Sequence, residues 1–110
     1  MIQNTLAEIE ARLRQADSVK AETRAELLKL LATLRSEVGS LSKTHSEEAE
    51  SIAGFTTVSA HEATRDARNP ELMDLSLKGL ASSVAGFEKS HPKLVEVVNR
   101  ICTTLANLGI

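Results

Sequence analysis

The stretch that decides the fold is NPELMDLSLKGLASSVAGFEKSHPKLVEVVNRICTTLANLGI, from Asn69 to Ile110. Within it Met73, Leu77, Leu80, Val84, Phe87, His91, Leu94, Val98, Ile101, Leu105 and Leu108 recur at alternating steps of four and three. All but His91 are apolar, and that spacing keeps one seam of a helix turned to a partner helix. A seam this long leaves too much apolar surface in water for the helix to stand alone. The rest of the chain is therefore read as its cover.

The start of this segment is well marked. Asn69 suits a cap, Pro70 fits the first turn where a missing N–H costs nothing, and Glu71 favours the positive end of the helix dipole. Pro92 is the one serious interruption, since inside a helix it removes a hydrogen bond and crowds the carbonyl of Glu88. The stripe crosses it in phase, so the sequence predicts one rod over about 70–108, kinked or very tightly broken at Pro92. Gly109, with Ile110 folding back, reads as a helix stop.

Upstream, Leu27, Leu31, Leu34, Val38 and Leu41 repeat the same steps, and Leu28 and Leu30 widen the stripe. Beyond Leu41 the pattern thins but keeps its register through His45, Glu48, Ile52 and Phe55. Two readings fit: one helix over about 21–66, or a break near 40–46 followed by a second helix over about 47–65. The in-phase register and the absence of proline favour the continuous helix. Ahead of it, Ile2, Leu6, Ile9 and Leu13 line one face of a short amphipathic helix over about 2–16, with Glu8/Arg12 and Glu10/Arg14 as pairs away from that face. Thr5 with Glu8 offers a capping box, and a start nearer Ile2 fits equally. A polar link at 17–20, with Ser18 as its cap, returns the chain antiparallel.

The expected architecture is all-α: one domain over 1–110, an antiparallel hairpin of two long, coiled-coil-like helices with a short N-terminal helix beside their junction. Three helices bury a core at that end. At the other end only two meet, which leaves Ile52, Phe55, Met73 and Leu77 exposed. A second copy would cover them, so a dimeric helical bundle is predicted with those four residues at the interface.

Composition narrows the functional classes. With 110 residues the chain fits one small domain. A formal net charge of -2, with both signs dispersed, gives no basic footprint for nucleic acid or an anionic membrane. Two Phe and no Trp or Tyr leave few platforms for bases or sugars. A single Cys excludes an intramolecular disulfide and fits a reducing compartment. The N-terminal residues lack the basic-then-apolar order of a secretory signal, and no apolar run approaches a membrane span. A soluble cytoplasmic protein is expected.

Phe87-Glu88-Lys89-Ser90-His91-Pro92-Lys93-Leu94, with Leu105-Ala106-Asn107-Leu108-Gly109-Ile110 closing the chain, resembles the ending of a family of short bacterial proteins known only as a domain of unknown function. The opening amphipathic helix, polar link and Glu22-Thr23-Arg24 are similar to it as well, whereas Lys43 to Arg68 looks longer than in typical members. The resemblance implies a small α-helical cytoplasmic protein. It carries over no catalytic residue.

Candidate chemistry is sparse. His45 and Glu48 lie one turn apart with His61 further along, so a metal held between helices at a dimer centre is conceivable. Bundle sites of that kind need several such pairs converging, and a polar layer that fixes register accounts for the same residues. His91 reads as a histidine bonded to backbone that Pro92 frees, rather than as a base or ligand. Cys102, beside Ile101, reads as a small buried hydrophobe, since neither a base nor an electropositive pocket accompanies it. The reading is a non-enzymatic, cofactor-free homo-oligomer whose business is protein association, with a small-ligand or metal-binding bundle as the alternative.

Overall fold

The structure, a computed structural model, describes residues 2–16 and 19–108. Five helices follow one another: α1 Ile2–Gln15, α2 Ala21–Leu41, α3 Ser46–Thr64, α4 Pro70–Ser83 and α5 Pro92–Leu108. Ser18, Gly109 and Ile110 lie outside the described residues, as does the side chain of Ile2, and with them the expected link cap, helix stop and first stripe position.

Each of the two long arms is in fact a pair of helices. The arm read as continuous over 21–66 stops at Leu41 because hydroxyls take over the carbonyls of its last turn. Ser42 Oγ donates to the Gly39 carbonyl at 2.8 Å and Thr44 Oγ1 to that of Leu41 at 3.3 Å. Such side chains offer the backbone an alternative to the next helical bond. Backbone N–H groups of Lys43, Thr44 and His45 then turn back onto Ser40 and Leu41. His45 leaves the helical region altogether, at φ -137 and ψ 64.

The second arm breaks rather than kinks. α4 ends at Ser83, and Gly86 takes φ 97, a left-handed conformation that glycine adopts without strain. The Glu88 carboxylate accepts from the Gly86 N–H at 2.7 Å and fixes the turn. Pro92 is the first residue of α5, where it costs no hydrogen bond. The stripe keeps its phase across the second break, where Leu94, Val98, Ile101 and Leu105 are buried. It does not across the first: Glu48 and Phe55 are exposed, and α3 turns Ala49, Ile52, Thr56 and Ala63 to the core instead.

The cap at the other turn is as expected: Asn69 Oδ1 accepts from the Leu72 N–H at 3.1 Å, with Pro70 opening α4. α1 begins at Ile2, which places Thr5 inside the helix rather than at its cap. Arg24 latches the link between α1 and α2 by donating to the carbonyls of Ala16, at 2.6 Å, and Val19, at 3.0 Å.

α3 packs chiefly on α4 and α2 chiefly on α5, while α3 also touches α5 and α1 lies against α2 and α3. Leu6, Leu13, Leu34, Val38, Ile52, Leu80, Leu94, Val98 and Leu105 meet in one buried cluster. Burying each large aliphatic side chain there stabilises the fold by roughly 1.5 to 3 kcal/mol. Glu10 is not on the outer face as its spacing suggested. It is buried, 3.3 Å from Arg35 of α2 and 3.8 Å from Arg14.

Candidate functional site

The expected interface residues divide. Folding back at 42–45 and 84–91 gives every helix more than one neighbour, so Ile52 and Met73 are buried in the protomer's own core and Leu77 is half-buried against it. Ile52, at 0% exposure, has no face left for a partner. Only Phe55, at 40% exposure, stands on the surface. It is joined there by Val58, Leu72 and Leu75, the last 63% exposed. Among the described residues every large, exposed hydrophobic side chain belongs to the α3–α4 hairpin. Phe55 lies over Gly79, where a β-carbon would run into its ring. Nothing stands within 4 Å of where Gly54 would carry one.

Of the candidate metal ligands, His45 and His61 sit at opposite ends of α3, about 24 Å apart along the axis at 1.5 Å per residue. Glu48 is exposed, and His61 Nε2 lies 4.0 Å from Glu62, whose closer partner is Arg65 at 3.1 Å. The protomer does not bring the three together, and no group of three or more potential ligands occurs among the described residues. His45 instead meets residues from the other arm. Its ring lies edge-on to Phe87 with centroids 5.5 Å apart and 6.3 Å from the ring of His91, which is itself 5.5 Å from Phe87.

His91 does not bond to freed backbone, because Pro92 frees none. Its Nδ1 pairs with Ser90 Oγ at 2.9 Å, just as His45 Nδ1 pairs with Thr44 Oγ1 at 2.8 Å. Cys102 is half-buried and its thiol donates to the Leu77 carbonyl at 3.8 Å. Burial pushes its pKa up, which suppresses the thiolate, the form a nucleophile needs.

The matching surroundings of the two histidines expose a signal that heptad counting passes over. Lys43-Thr44-His45-Ser46 returns as Lys89-Ser90-His91-Pro92, 46 residues later. The same offset aligns Leu34 with Leu80, Val38 with Val84, Glu50 with Glu96 and Ala60 with Ala106. α2–turn–α3 and α4–turn–α5 are thus two copies of one hairpin. Their packing agrees: α2 lies on α5 as α4 lies on α3, while α3 and α5 meet at the centre and α2 and α4 stay apart. This is the pattern of two like units about a twofold axis, and His45, Phe87 and His91 gather where the copies meet.

The duplication supplies an internal control for the apolar surface. The counterparts of Leu72, Leu75 and Val58 on the equivalent α2–α5 face are Glu26, Lys29 and Thr104, while Ile101, the counterpart of Phe55, is buried in the core. Glu26, Lys29, Glu96 and Arg100 line an open groove there. The same hairpin fold is therefore built with a charged outer face on one side and an apolar one on the other. The apolarity of α3–α4 is not something the fold requires.

No helix is long and apolar enough among the described residues to cross a membrane. No curated protein and no solved structure matches the chain. A family model does match, over residues 29–110, and so runs through the segment 43–68 that looked atypical while leaving out α1 and the start of α2. On that match the chain belongs to the family described as Domain of unknown function (DUF4404).

Proposed function

We propose that this chain is a non-enzymatic, cytoplasmic association module that pairs with a second copy of itself through the outer face of α3 and α4. The observation that carries the reading is the confinement of Phe55, Val58, Leu72 and Leu75 to that one face, while its duplicate on α2 and α5 is charged. Contiguous exposed apolar surface rimmed by polar residues is what interaction sites look like. Ser51, Gly54, Phe55 and Val58 recur at helical spacing on α3, as do Leu72, Leu75, Gly79 and Ser82 on α4. Each helix thus carries a second, narrower seam, and two copies brought face to face form a four-helix layer.

Charge and size both suit a twofold pairing. Glu47 stands at the start of the α3 seam and Arg65 just past its end. Antiparallel α3 helices bring each acidic end to the partner's Arg65. With 1.5 Å of rise per residue and axes about 9 Å apart, the face offers on the order of 500 Å² per copy, about 1,000 Å² in total, near the lower bound for a specific interface. A reversible dimer is expected.

Cross-linking tests the face directly. In a Cys102→Ser background, Val58→Cys should be joined readily into a dimer by a short bismaleimide. The register that brings Glu47 to Arg65 leaves the two copies of position 58 on one seam, about 6 Å apart along it. Lys29→Cys, on the charged face, should not. Equal cross-linking at both positions, or none at Val58→Cys, would show that α3–α4 is not where copies meet.

A further inference from the structure

α3 and α5 turn somewhat different faces to the core, since Ser51 and Phe55 are exposed where their counterparts Val97 and Ile101 are buried. On the other side of the hairpins the difference runs the opposite way. Leu31, Ala49, Thr56 and Ala60 of the first hairpin are buried, whereas their counterparts Leu77, Val95, Cys102 and Ala106 in the second are only half-buried. The first hairpin is also covered by α1. That helix lies on α2 and α3, and no described helix lies on α4 and α5 in the same way. The second hairpin therefore presents a helix-binding groove of the kind the first has filled.

We infer that the groove between α4 and α5 is a seat for an amphipathic helix supplied by another protein, docked as α1 docks on α2 and α3. A cavity of about 180 Å³, lined by Arg68, Met73, Asp74, Leu77 and Ala106 among others, opens into it, and Asp74 is paired with Lys78 at 2.9 Å. The cavity gives room for an aliphatic knob of the guest. The resident helix shows the stripe that fits: 14 residues long, with Leu6, Ile9 and Leu13 each at most 2% exposed.

Charge sets the direction of the guest. Arg24 holds the Ala16 and Val19 carbonyls at the C-terminal end of α1. Arg68, two residues before the counterpart of Arg24, stands at the corresponding end of the second groove and donates to the Leu108 carbonyl. A guest helix running as α1 does would bring its negative C-terminal end to this cation. Arg35, the partner of buried Glu10, has Ala81 as its counterpart. The guest thus carries an apolar residue where α1 carries Glu10.

The probe is a synthetic peptide of residues 2–16 with Glu10→Leu, titrated into the full chain carrying Leu75→Glu so that pairing through α3–α4 does not contribute. Saturable amide shifts centred on Leu77, Val95, Cys102 and Ala106 are expected, and Ala106→Glu should weaken binding at least tenfold, the factor that 1.4 kcal/mol of lost affinity gives. Should Ala106→Glu fail to fold, alkylation of Cys102 in the Leu75→Glu chain gives a second measure, and bound peptide should slow it. No saturation at millimolar peptide, an unchanged alkylation rate, or shifts confined to α2 and α3, where the peptide merely replaces α1, would each overturn the inference.

Discussion

Leu94 and Glu48 occupy the same position in the two copies of the hairpin, yet Leu94 is 0% exposed and Glu48 lies in solvent. Truncating each to alanine tests whether α5 seats this position in the core while α3 leaves it in solvent. For Leu94→Ala the lost burial is about 0.8 kcal/mol per methylene, roughly 2.4 kcal/mol for three carbons, before any cavity cost. Incomplete collapse of the site adds to this, giving about 3 to 4 kcal/mol. With a urea dependence of about 1.5 kcal/mol per molar for a domain of this size, the midpoint moves down by about 2 M. Total stability of roughly 5 to 15 kcal/mol leaves the variant folded and measurable. Glu48→Ala, an exposed change, stays within about 0.5 kcal/mol. The assay is urea unfolding followed by circular dichroism, at one protein concentration and in the Leu75→Glu background so that dimerisation does not enter. A loss below 1 kcal/mol for Leu94→Ala, or equal losses at the two positions, would mean that α5 is not seated in the core as described.

Other substitutions probe single contacts. Ser59 Oγ is buried without a hydrogen-bond partner, so Ser59→Ala should be neutral or raise stability by up to about 1 kcal/mol; a loss above 1 kcal/mol by urea unfolding would reveal a bond to this hydroxyl. Gly54 sits mid-helix with open space around its α-carbon, so Gly54→Ala should stabilise the protomer by up to about 1 kcal/mol, read as a higher melting temperature in the Leu75→Glu background. Because burial raises the Cys102 pKa, the thiolate fraction at pH 8 is smaller in the folded chain than in the urea-unfolded one. Iodoacetamide should accordingly react more slowly with the folded protein, and equal rates would place Cys102 in solvent.

The core seam was legible because packing demands it. Leu80, Val84, Leu94, Val98, Ile101 and Leu105 are all buried, as their spacing required. The Asn69 cap was legible too, since Asn followed by Pro has few other meanings at a helix start. Periodicity could not show where the arms fold back. A stripe that stays in phase across Ser90 serves two helices facing one core as well as it serves one long rod. The apparent register across Thr44 rested on Glu48 and Phe55, which are exposed, and bonds such as Ser42 Oγ to the Gly39 carbonyl depend on rotamers. That ambiguity moved the expected interface, because Ile52 and Met73 face outward only if the arms stay straight. The meeting of His45 with His91 was written in the repeated Lys-Ser/Thr-His stretch. Helix faces that have diverged between the copies, Glu48 against Leu94 for example, obscured it.

Self-association through α3 and α4 is tested most directly by sedimentation equilibrium of the intact chain and of Leu75→Glu over a wide concentration range. The intact chain should move from its protomer mass of 11.9 kDa towards twice that value as concentration rises, and Leu75→Glu should stay at 11.9 kDa. A protomer mass for the intact chain at every concentration, or a Leu75→Glu chain that dimerises as tightly, would contradict the account.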